Sequence, residues 1–141
     1  MARKSDYFRS AALTLPQQIG RMSNTYPGFG GSFTRNGVSW TGQLQPSPIS
    51  ETYAVRIDYT LRKRPTVWVL QPNLRRRQAD QKIPHTFHDG TVCLHLHEDW
   101  TPEMFVADTI VPWLALWLYY YEVWHGTGVW LGGGHEPRRG K

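Results

Sequence analysis

One segment near the C-terminal end, residues 110–124, limits the folds that this chain can adopt. Its sequence, IVPWLALWLYYYEVW, is apolar or aromatic at almost every position. Such a run is too short to span a bilayer, so most of its side chains must be buried in a protein core. We expect it to form the main helix of the domain, running from Glu103 to Trp124.

Local signals predict where this helix begins and ends. Thr101 can cap its N-terminus, and Pro102 suits the first helical position because proline lacks an N–H. Pro112 should kink or interrupt the helix, since proline removes a backbone hydrogen bond and clashes one turn back. Gly126 and Gly128 should end it. The residues expected to pack on the rest of the domain, at three-to-four spacing, are Leu114, Trp117, Leu118 and Tyr121.

Three earlier segments have the pattern of β-strands. Apolar and polar residues alternate through residues 38–45 and again through 53–60, which is the period of a half-buried strand. Residues 66–70 are β-branched and apolar and are bounded by prolines. The short connections favour an antiparallel meander. A short amphipathic helix from Pro16 to about Asn24 precedes the strands, so the order of elements predicts an α+β fold.

Composition and charge restrict the organisation of the chain. Its 141 residues, 40% of them hydrophobic, predict one folded domain, which we place at residues 13–134. A flexible basic arm (1–12) and a basic tail (135–141) flank it. Residues 1–82 hold 13 Lys and Arg against 4 Asp and Glu, whereas residues 83–137 hold no Lys or Arg and 7 acidic residues. The basic half therefore suggests an acidic partner or ordinary surface charge.

The same composition excludes several classes of protein. A single cysteine cannot form an internal disulfide, which fits a reducing compartment, so we predict a cytoplasmic protein. We find no signal peptide and no membrane-spanning run. No stacking aromatic pattern accompanies the arginine clusters, so we expect no nucleic-acid partner.

Residues 83–102 concentrate the groups that can carry chemistry. They include the only cysteine, Cys93, and four of the six histidines. Asp89-Gly90 predicts a tight turn, because glycine tolerates the positive φ that such turns need. Residues 91–97 then have the pattern of a short strand. The side chains on one face of that strand would be Cys93, His95 and His97. A thiol held just past a turn, with an apolar back face behind it, is positioned and accessible.

These residues also resemble a known family. Gly90-x-x-Cys93-Leu94, followed by Trp100-Thr101-Pro102, resembles the active-site signature of ubiquitin-conjugating enzymes, G-x-[IV]-C-L and W-[ST]-P. With its early histidine and aromatic helix, the chain is similar to bacterial ubiquitin-conjugating-like proteins of antiphage defence operons. These include the single-domain conjugating proteins of type II short CBASS (cyclic-oligonucleotide-based antiphage signalling). The resemblance covers roughly residues 13–134 and implies a short ubiquitin-conjugating-like fold that lacks the two C-terminal helices.

The resemblance implies a transferase that carries an acyl group on Cys93 as a thioester and passes it to an amine. Such chemistry needs no metal, nucleotide or other cofactor. In CBASS operons, similar proteins act on the C-terminus of a neighbouring cGAS-like nucleotidyltransferase, and a related set serves bacterial ubiquitin-like modifiers. The sequence leaves open which of these is the protein partner and whether an activating enzyme is required.

The catalytic residues that we predict are Cys93, His85 and His88. The family has an HPN motif before its cysteine; Pro84-His85-Thr86 matches the histidine of that motif but has no asparagine. Oxyanion support is therefore left to backbone N–H groups, to His88 or to Thr86. A histidine can also accept the proton of the attacking amine, although each may instead only order the loop. The residues expected to support the loop are Thr86, Asp89, Gly90, Trp100 and Pro102.

Two other functions compete with transfer. His88, Cys93, His95 and His97 offer nitrogen and sulfur donors for zinc. Same-face side chains on a strand are roughly 6–7 Å apart, too wide for one zinc shell, so we predict no metal site. The second alternative is a catalytically idle binding module of the same fold, against which the G-x-V-C-L sequence argues.

The main helix carries more apolar surface than one core can cover. Exposed Trp and Tyr side chains dominate the binding energy of many interfaces. We therefore predict a docking surface for the partner protein, or for a second copy of the chain in a homodimer, at Trp113, Tyr120 and Trp124. The alternative is that residues 129–131 and the basic arm fold back over the helix.

Overall fold

The computed structural model describes residues 12–94 and 99–133. In chain order these form helix α1 (Leu15–Thr25), strands β1 (Gly30–Phe33), β2 (Gly37–Leu44), β3 (Tyr53–Thr60) and β4 (Thr66–Gln71), and helix α2 (Val106–Thr127). The strands make one antiparallel sheet in the order β1-β2-β3-β4. The predicted α+β fold is confirmed, and the arrangement is that of a small ubiquitin-conjugating-like domain. Across the described ranges, the search for a helix with the length and hydrophobicity of a membrane span found none.

The core lies between one face of the sheet and α2. Trp40, Ile57 and Val67 align across β2, β3 and β4, and all three are buried. The helix residues predicted to pack inward are also buried: Leu114, Trp117, Leu118 and Tyr121. Burial of each large apolar side chain contributes about 1.5–3 kcal/mol, so this layer supplies most of the stability of the domain.

Helix α1 is fixed at its start by its own sequence and in its middle by the rest of the fold. The Thr14 hydroxyl accepts from the Gln17 N–H at 3.2 Å, and the Gln17 amide oxygen accepts from the Thr14 N–H at 2.8 Å. This reciprocal pair is a capping box. Gln18, fully buried, donates to the Met104 carbonyl at 2.8 Å and accepts from the Val106 N–H at 2.9 Å. One amide therefore ties α1 to the start of α2.

The predicted start of α2 is wrong, and Gln18 explains why. The helix begins at Val106 rather than at Glu103, and Thr101 does not cap it. Instead, the Thr101 carbonyl accepts a hydrogen bond from the Met104 N–H at 3.0 Å, which closes a separate turn. The first N–H of α2 is satisfied by the buried Gln18 amide, so no local cap is needed.

Pro102, predicted at the first helical position, lies in that turn before α2, where its carbonyl accepts from the Leu13 N–H at 2.9 Å. Pro112 lies inside α2 without interrupting it. Asp108, one turn before Pro112, is exposed, so water can satisfy the carbonyl that the proline leaves unpaired. Gly128 ends the helix with φ of 84°, as predicted, whereas Gly126 is still helical.

Two strand predictions need correction. Strand β1 was not predicted, because all four of its residues, starting with Gly30-Gly31, are exposed and show no alternation. The strand predicted at residues 91–97 is absent from its described part, residues 91–94, which makes only an isolated bridge between Thr86 and Val92. The remainder of that strand, the arm apart from Ala12, and the tail (135–141) lie outside the described residues.

Gly42 in β2 is required by a close packing contact. A Cβ at this position would lie 2.2 Å from the nearest atom of the buried Phe29 ring. We expect Gly42→Ala to lower the free energy of unfolding by about 1–3 kcal/mol, because the ring must move. Gly20 in α1 has nothing within 4 Å of its Cβ position, so Gly20→Ala should raise stability by about 0.5–1 kcal/mol. Urea unfolding of both variants checks this, and a Gly42→Ala protein as stable as the parent would contradict it.

Candidate functional site

A hairpin formed by residues 85–93 carries the predicted nucleophile. The Cys93 N–H donates to the His85 carbonyl at 2.9 Å, so these two residues lie opposite each other. Thr86 and Val92 form the next pair, as an isolated antiparallel bridge. The Cys93 side chain is half-buried. Its backbone is therefore held by the opposite arm of the hairpin, although it does not lie in a regular strand.

The tip of the hairpin contains the predicted Asp89-Gly90 turn. The Gly90 N–H donates to the Phe87 carbonyl at 3.0 Å, and Gly90 has φ of 93°. Asp89 Oδ1 accepts from the Thr91 hydroxyl at 2.6 Å and from the Thr91 N–H at 2.9 Å. The hydroxyl bond, with the N–H bond, lowers the pKa of Asp89 below its ordinary value. The tip therefore carries a negative charge at neutral pH.

The hairpin is attached to the edge of the sheet. The Val92 N–H donates to the carbonyl of Val67 in β4 at 2.9 Å, and the Val92 side chain is part of the core. Because β4 is an outer strand of the sheet, this bond also covers an edge that would otherwise be open. Cys93 follows Val92 directly, so the sheet sets its position.

His85 occupies an unusual backbone conformation. Its φ is 53°, in the left-handed region, which costs a non-glycine residue on the order of 1 kcal/mol or more. Its imidazole is 9% exposed and lies 5.0 Å from the Trp130 indole, centroid to centroid, at an interplanar angle of 36°. Surrounding packing must maintain such a conformation, and it aims the His85 carbonyl at the Cys93 N–H.

Two of the predicted oxyanion donors are already engaged. The Thr86 hydroxyl donates to the Ile83 carbonyl at 2.8 Å, and Thr86 is buried. A hydroxyl has one hydrogen to donate, so Thr86 cannot also bind an oxyanion without breaking this bond. The Cys93 N–H is likewise occupied by the His85 carbonyl. Thr86 is thus a loop-ordering residue.

His88 lies exposed in the turn, three positions along the hairpin from the Cys93–His85 pair. That separation corresponds to roughly 10 Å. The structure therefore places His85 beside the backbone of Cys93 and places His88 at the far end of the hairpin.

The zinc alternative involves residues that the structure only partly describes. Within residues 12–94 and 99–133, no group of three or more His, Cys, Asp or Glu side chains is arranged to hold a metal ion. His95 and His97, the two residues predicted to share a strand face with Cys93, lie outside these ranges.

Trp100, the other half of the predicted motif, is a core residue. Its indole N–H donates to the Thr109 hydroxyl at 3.1 Å, and its ring meets Tyr59 edge-on at 5.6 Å. Trp100 thereby joins the segment after Cys93 to both α2 and β3. Trp100 is 3% exposed, and its role as a support for the loop stays a prediction.

Arg77 and Trp130 are residues near the site that sequence reasoning missed. Arg77 Nε donates to the carbonyl of His125 at 3.1 Å, and a Cβ on Gly128 would lie 2.8 Å from Arg77 Nη1. The guanidinium thus lies at the C-terminal, negative end of α2. This contact fastens the loop before His85 to the helix. The sequence predicted that Gly128 ends the helix, but it did not predict that Arg77 packs against Gly128.

The predicted aromatic docking surface is changed by the structure. Trp124 is 2% exposed and belongs to the core, so it cannot form part of that surface. Tyr120 is half-buried against Trp130, and Trp113 is half-buried against the core cluster. The large side chains that α2 leaves open are Leu116, 49% exposed, and Tyr119, 40% exposed. Of residues 129–131, Trp130 packs on the helix through Trp117 and Tyr120, whereas Val129 and Leu131 are exposed. The basic arm that the alternative also invoked lies outside the described residues, apart from Ala12.

A cleft of about 560 Å³ opens between the start of β3 and the last turns of α2. On its wall, the Glu122 carboxylate accepts from the Ser50 hydroxyl at 2.6 Å and from the Tyr53 hydroxyl at 2.8 Å. Burial, and then the bond to Glu122, raise the pKa of Tyr53 above its ordinary value. The phenol is therefore a neutral donor that fastens α2 to the sheet.

A comparison of the sequence with models of protein families finds a match that includes both the hairpin and α2. The model described as "Type II CBASS E2 protein" matches residues 18–137, most of the chain. The chain belongs to this family. No curated protein sequence matches it.

The match to the CBASS E2 family begins at Gln18, within α1, and covers the rest of that helix, the whole sheet, the Cys93 hairpin and α2. The family therefore accounts for most of the described domain rather than for the cysteine motif alone. It also implies that the protein works with a protein partner in the CBASS antiphage system.

The left-handed backbone of His85 in this E2 protein leads to a prediction that separates its backbone from its imidazole. Glycine adopts φ of about 53° without strain, whereas alanine does not. We expect His85→Gly to unfold at a higher urea concentration than His85→Ala, by about 1 kcal/mol in free energy of unfolding. Urea titration followed by tryptophan fluorescence measures this. Equal stability of the two variants would show that the conformation carries no cost.

Proposed function

We propose that this E2 protein is a cysteine-dependent acyl transferase that joins the C-terminus of a partner protein to an amine in CBASS defence. The observation that carries the proposal is the Cys93 backbone held opposite His85 in a hairpin fixed to the sheet edge, with the thiol half-buried. Membership of the E2 family supports it.

The reaction has two displacement steps. The Cys93 thiolate attacks the carbonyl carbon of an acyl group on an upstream thiol, a carbon–sulfur bond forms, and the upstream thiolate leaves. An acceptor amine then attacks the same carbonyl carbon, loses a proton to a base, and expels the Cys93 thiolate. Each step exchanges one bond for another and no electrons are transferred, so neither a metal nor a redox cofactor is needed.

The charge around Cys93 suits a carrier. Asp89 stays ionised on the hairpin tip, and residues 83–137 contain no Lys or Arg. Negative charge disfavours the thiolate and lowers the reactivity of the thiol toward unrelated partners. Because that segment contains no lysine, none of its own side chains offers an amine that would consume the thioester.

The protein substrate that we favour is the C-terminus of a cGAS-like nucleotidyltransferase, because the family resemblance attaches to CBASS. A bacterial ubiquitin-like modifier is the second candidate. Offering both proteins, each with its activating components, to the purified E2 protein distinguishes them by which one becomes linked to Cys93.

The proton acceptor for the amine is assigned to His85 or His88. His85 has its carbonyl on the Cys93 N–H, and His88 is exposed where an incoming amine can approach. His85→Gly retains the backbone and removes the imidazole. If the imidazole of His85 is the base, this variant loads Cys93 normally but discharges slowly; if discharge is normal, the assignment passes to His88.

The exposed side of α2 is proposed to dock the partner protein. Leu116 and Tyr119 are the open members, and the half-buried Trp113 and Tyr120 border them. An aromatic and aliphatic patch of this kind contributes binding energy when it is covered. A second copy of the chain is the competing occupant, which sedimentation of the isolated protein would reveal.

For Cys93, we expect a covalent adduct with the C-terminal carboxyl of the partner that a thiol reductant removes. Cys93→Ala should abolish it, because no other cysteine is present. Cys93→Ser should form an oxyester that resists reductant. Non-reducing electrophoresis and intact mass measure these species. An adduct of undiminished yield in Cys93→Ala would exclude transfer through Cys93, and the absence of any adduct in the parent would favour an idle binding module.

For the docking surface, we expect Leu116→Ala combined with Tyr119→Ala to weaken partner binding by about 1–3 kcal/mol while leaving the fold intact. Ile49→Ala is the matched control, since Ile49 is a large apolar residue that is 97% exposed in a separate loop. Calorimetric titration with the partner measures the affinities. Equal affinities of the double variant and the control would place the docking surface elsewhere.

A further inference from the structure

The segment that follows α2 returns to the Cys93 hairpin. Gly128 ends the helix with φ of 84°, and the chain reverses so that the Trp130 indole lies 5.0 Å from the His85 imidazole. His85 and Trp130 are 45 residues apart in sequence, so this contact is made only in the folded chain. Trp130 contacts His85, and the His85 carbonyl accepts a hydrogen bond from the Cys93 N–H. Only His85 therefore links the C-terminal segment to the backbone of Cys93 in this chain of contacts.

Trp130 is held in place on its other sides. Its ring meets Trp117 edge-on at 5.6 Å and Tyr120 edge-on at 5.9 Å. A Cβ at Gly132 would lie 2.5 Å from the Tyr120 ring and 3.0 Å from Trp130 Nε1, so Gly132 also packs closely on this cluster. Trp130 is half-buried, and its contact with Trp117 joins it to the core.

The contact falls on one of the two described non-glycine residues that have a left-handed backbone, His85 and Arg62. His85 needs external packing to remain at φ of 53°, and the Trp130 indole is one of the groups that pack on its ring. The carbonyl of the same residue accepts the Cys93 N–H at 2.9 Å. A change in the His85 backbone would consequently move or release the backbone of the nucleophile.

We infer that Trp130 is a positioning residue for the transfer reaction: by packing on His85 it sets the orientation of Cys93. The inference rests on the proposed function of Cys93 and adds to it a residue outside the hairpin. As a positioning residue, Trp130 acts on Cys93 only through His85 and does not itself take part in the reaction.

A purely structural role for Trp130 would lower stability and leave the chemistry of the folded protein unchanged. A positioning role changes the reactivity of Cys93 in protein that is fully folded. Cys93 is the single cysteine, so its alkylation by iodoacetamide reports on this one thiol without any partner protein.

The experiment uses the full chain with Trp130→Leu and Trp130→Phe. Leucine fills much of the space without a flat ring, and phenylalanine restores a flat ring against His85. Leu131→Ala is the control, since Leu131 is exposed in the same turn. Each variant is assayed well below its melting temperature for the pH profile of Cys93 alkylation and for the kcat and KM of thioester discharge.

We expect Trp130→Leu to shift the alkylation profile and to lower the kcat of discharge about tenfold or more with KM little changed. Trp130→Phe should restore both, and Leu131→Ala should match the parent. In a His85→Gly background, Trp130→Leu should add little, because the ring through which it acts is gone.

A normal alkylation profile and normal kcat in folded Trp130→Leu would overturn the inference, as would an equal loss in Trp130→Leu and Trp130→Phe. If Trp130→Leu does not fold, Trp130→Met takes its place, and a parent-like alkylation profile in the folded Trp130→Met protein would overturn the inference. Failure of the proposed function is separate: the parent would then form no thioester, while the alkylation profiles would still show whether Trp130 positions Cys93.

Discussion

The burial of helix α2 is the constraint on which the rest of this structure depends. Its side chains are apolar on nearly all sides, and no single face of a four-stranded sheet can cover them. The sheet takes one side through residues such as Ile57 and Val67, and α1 meets the start of the helix through the buried Gln18. The chain after Gly128 folds back over another side with Trp130. Each of these layers exists because apolar surface on α2 would otherwise face water.

The elements that cover α2 also hold the candidate site in place. The Cys93 hairpin is fixed on one side by the bond from Val92 to the sheet edge and on the other by the contact of His85 with Trp130. Arg77 adds a third attachment, from the loop before the hairpin to the C-terminal end of α2. The thiol therefore takes its position from the sheet and the helix together, although the hairpin itself has little regular structure.

Several features were readable from local sequence because they arise from local physics. The alternation through residues 53–60 corresponds to β3, Pro16 lies in the first turn of α1, and Asp89-Gly90 forms the turn before Cys93. The same approach failed where a distant residue supplied the interaction. The start of α2 moved to Val106 because Gln18, far away in sequence, satisfies its first N–H. Trp124 was predicted at the surface because a run that is apolar all round does not indicate how many residues beyond the inward side will be covered.

The sequence by itself determined the α+β order of elements, the inward side of α2 and the family, because periodicity, turn residues and the Cys93 motif are all local. Only the tertiary structure decided that the His85 backbone is left-handed and that the Thr86 hydroxyl donates to the Ile83 carbonyl. It also decided that the Trp130 indole packs on the His85 imidazole. These depend on which surfaces meet when the core closes. Packing between residues far apart in sequence leaves no periodic signal, so the position of the thiol is a property of the folded domain.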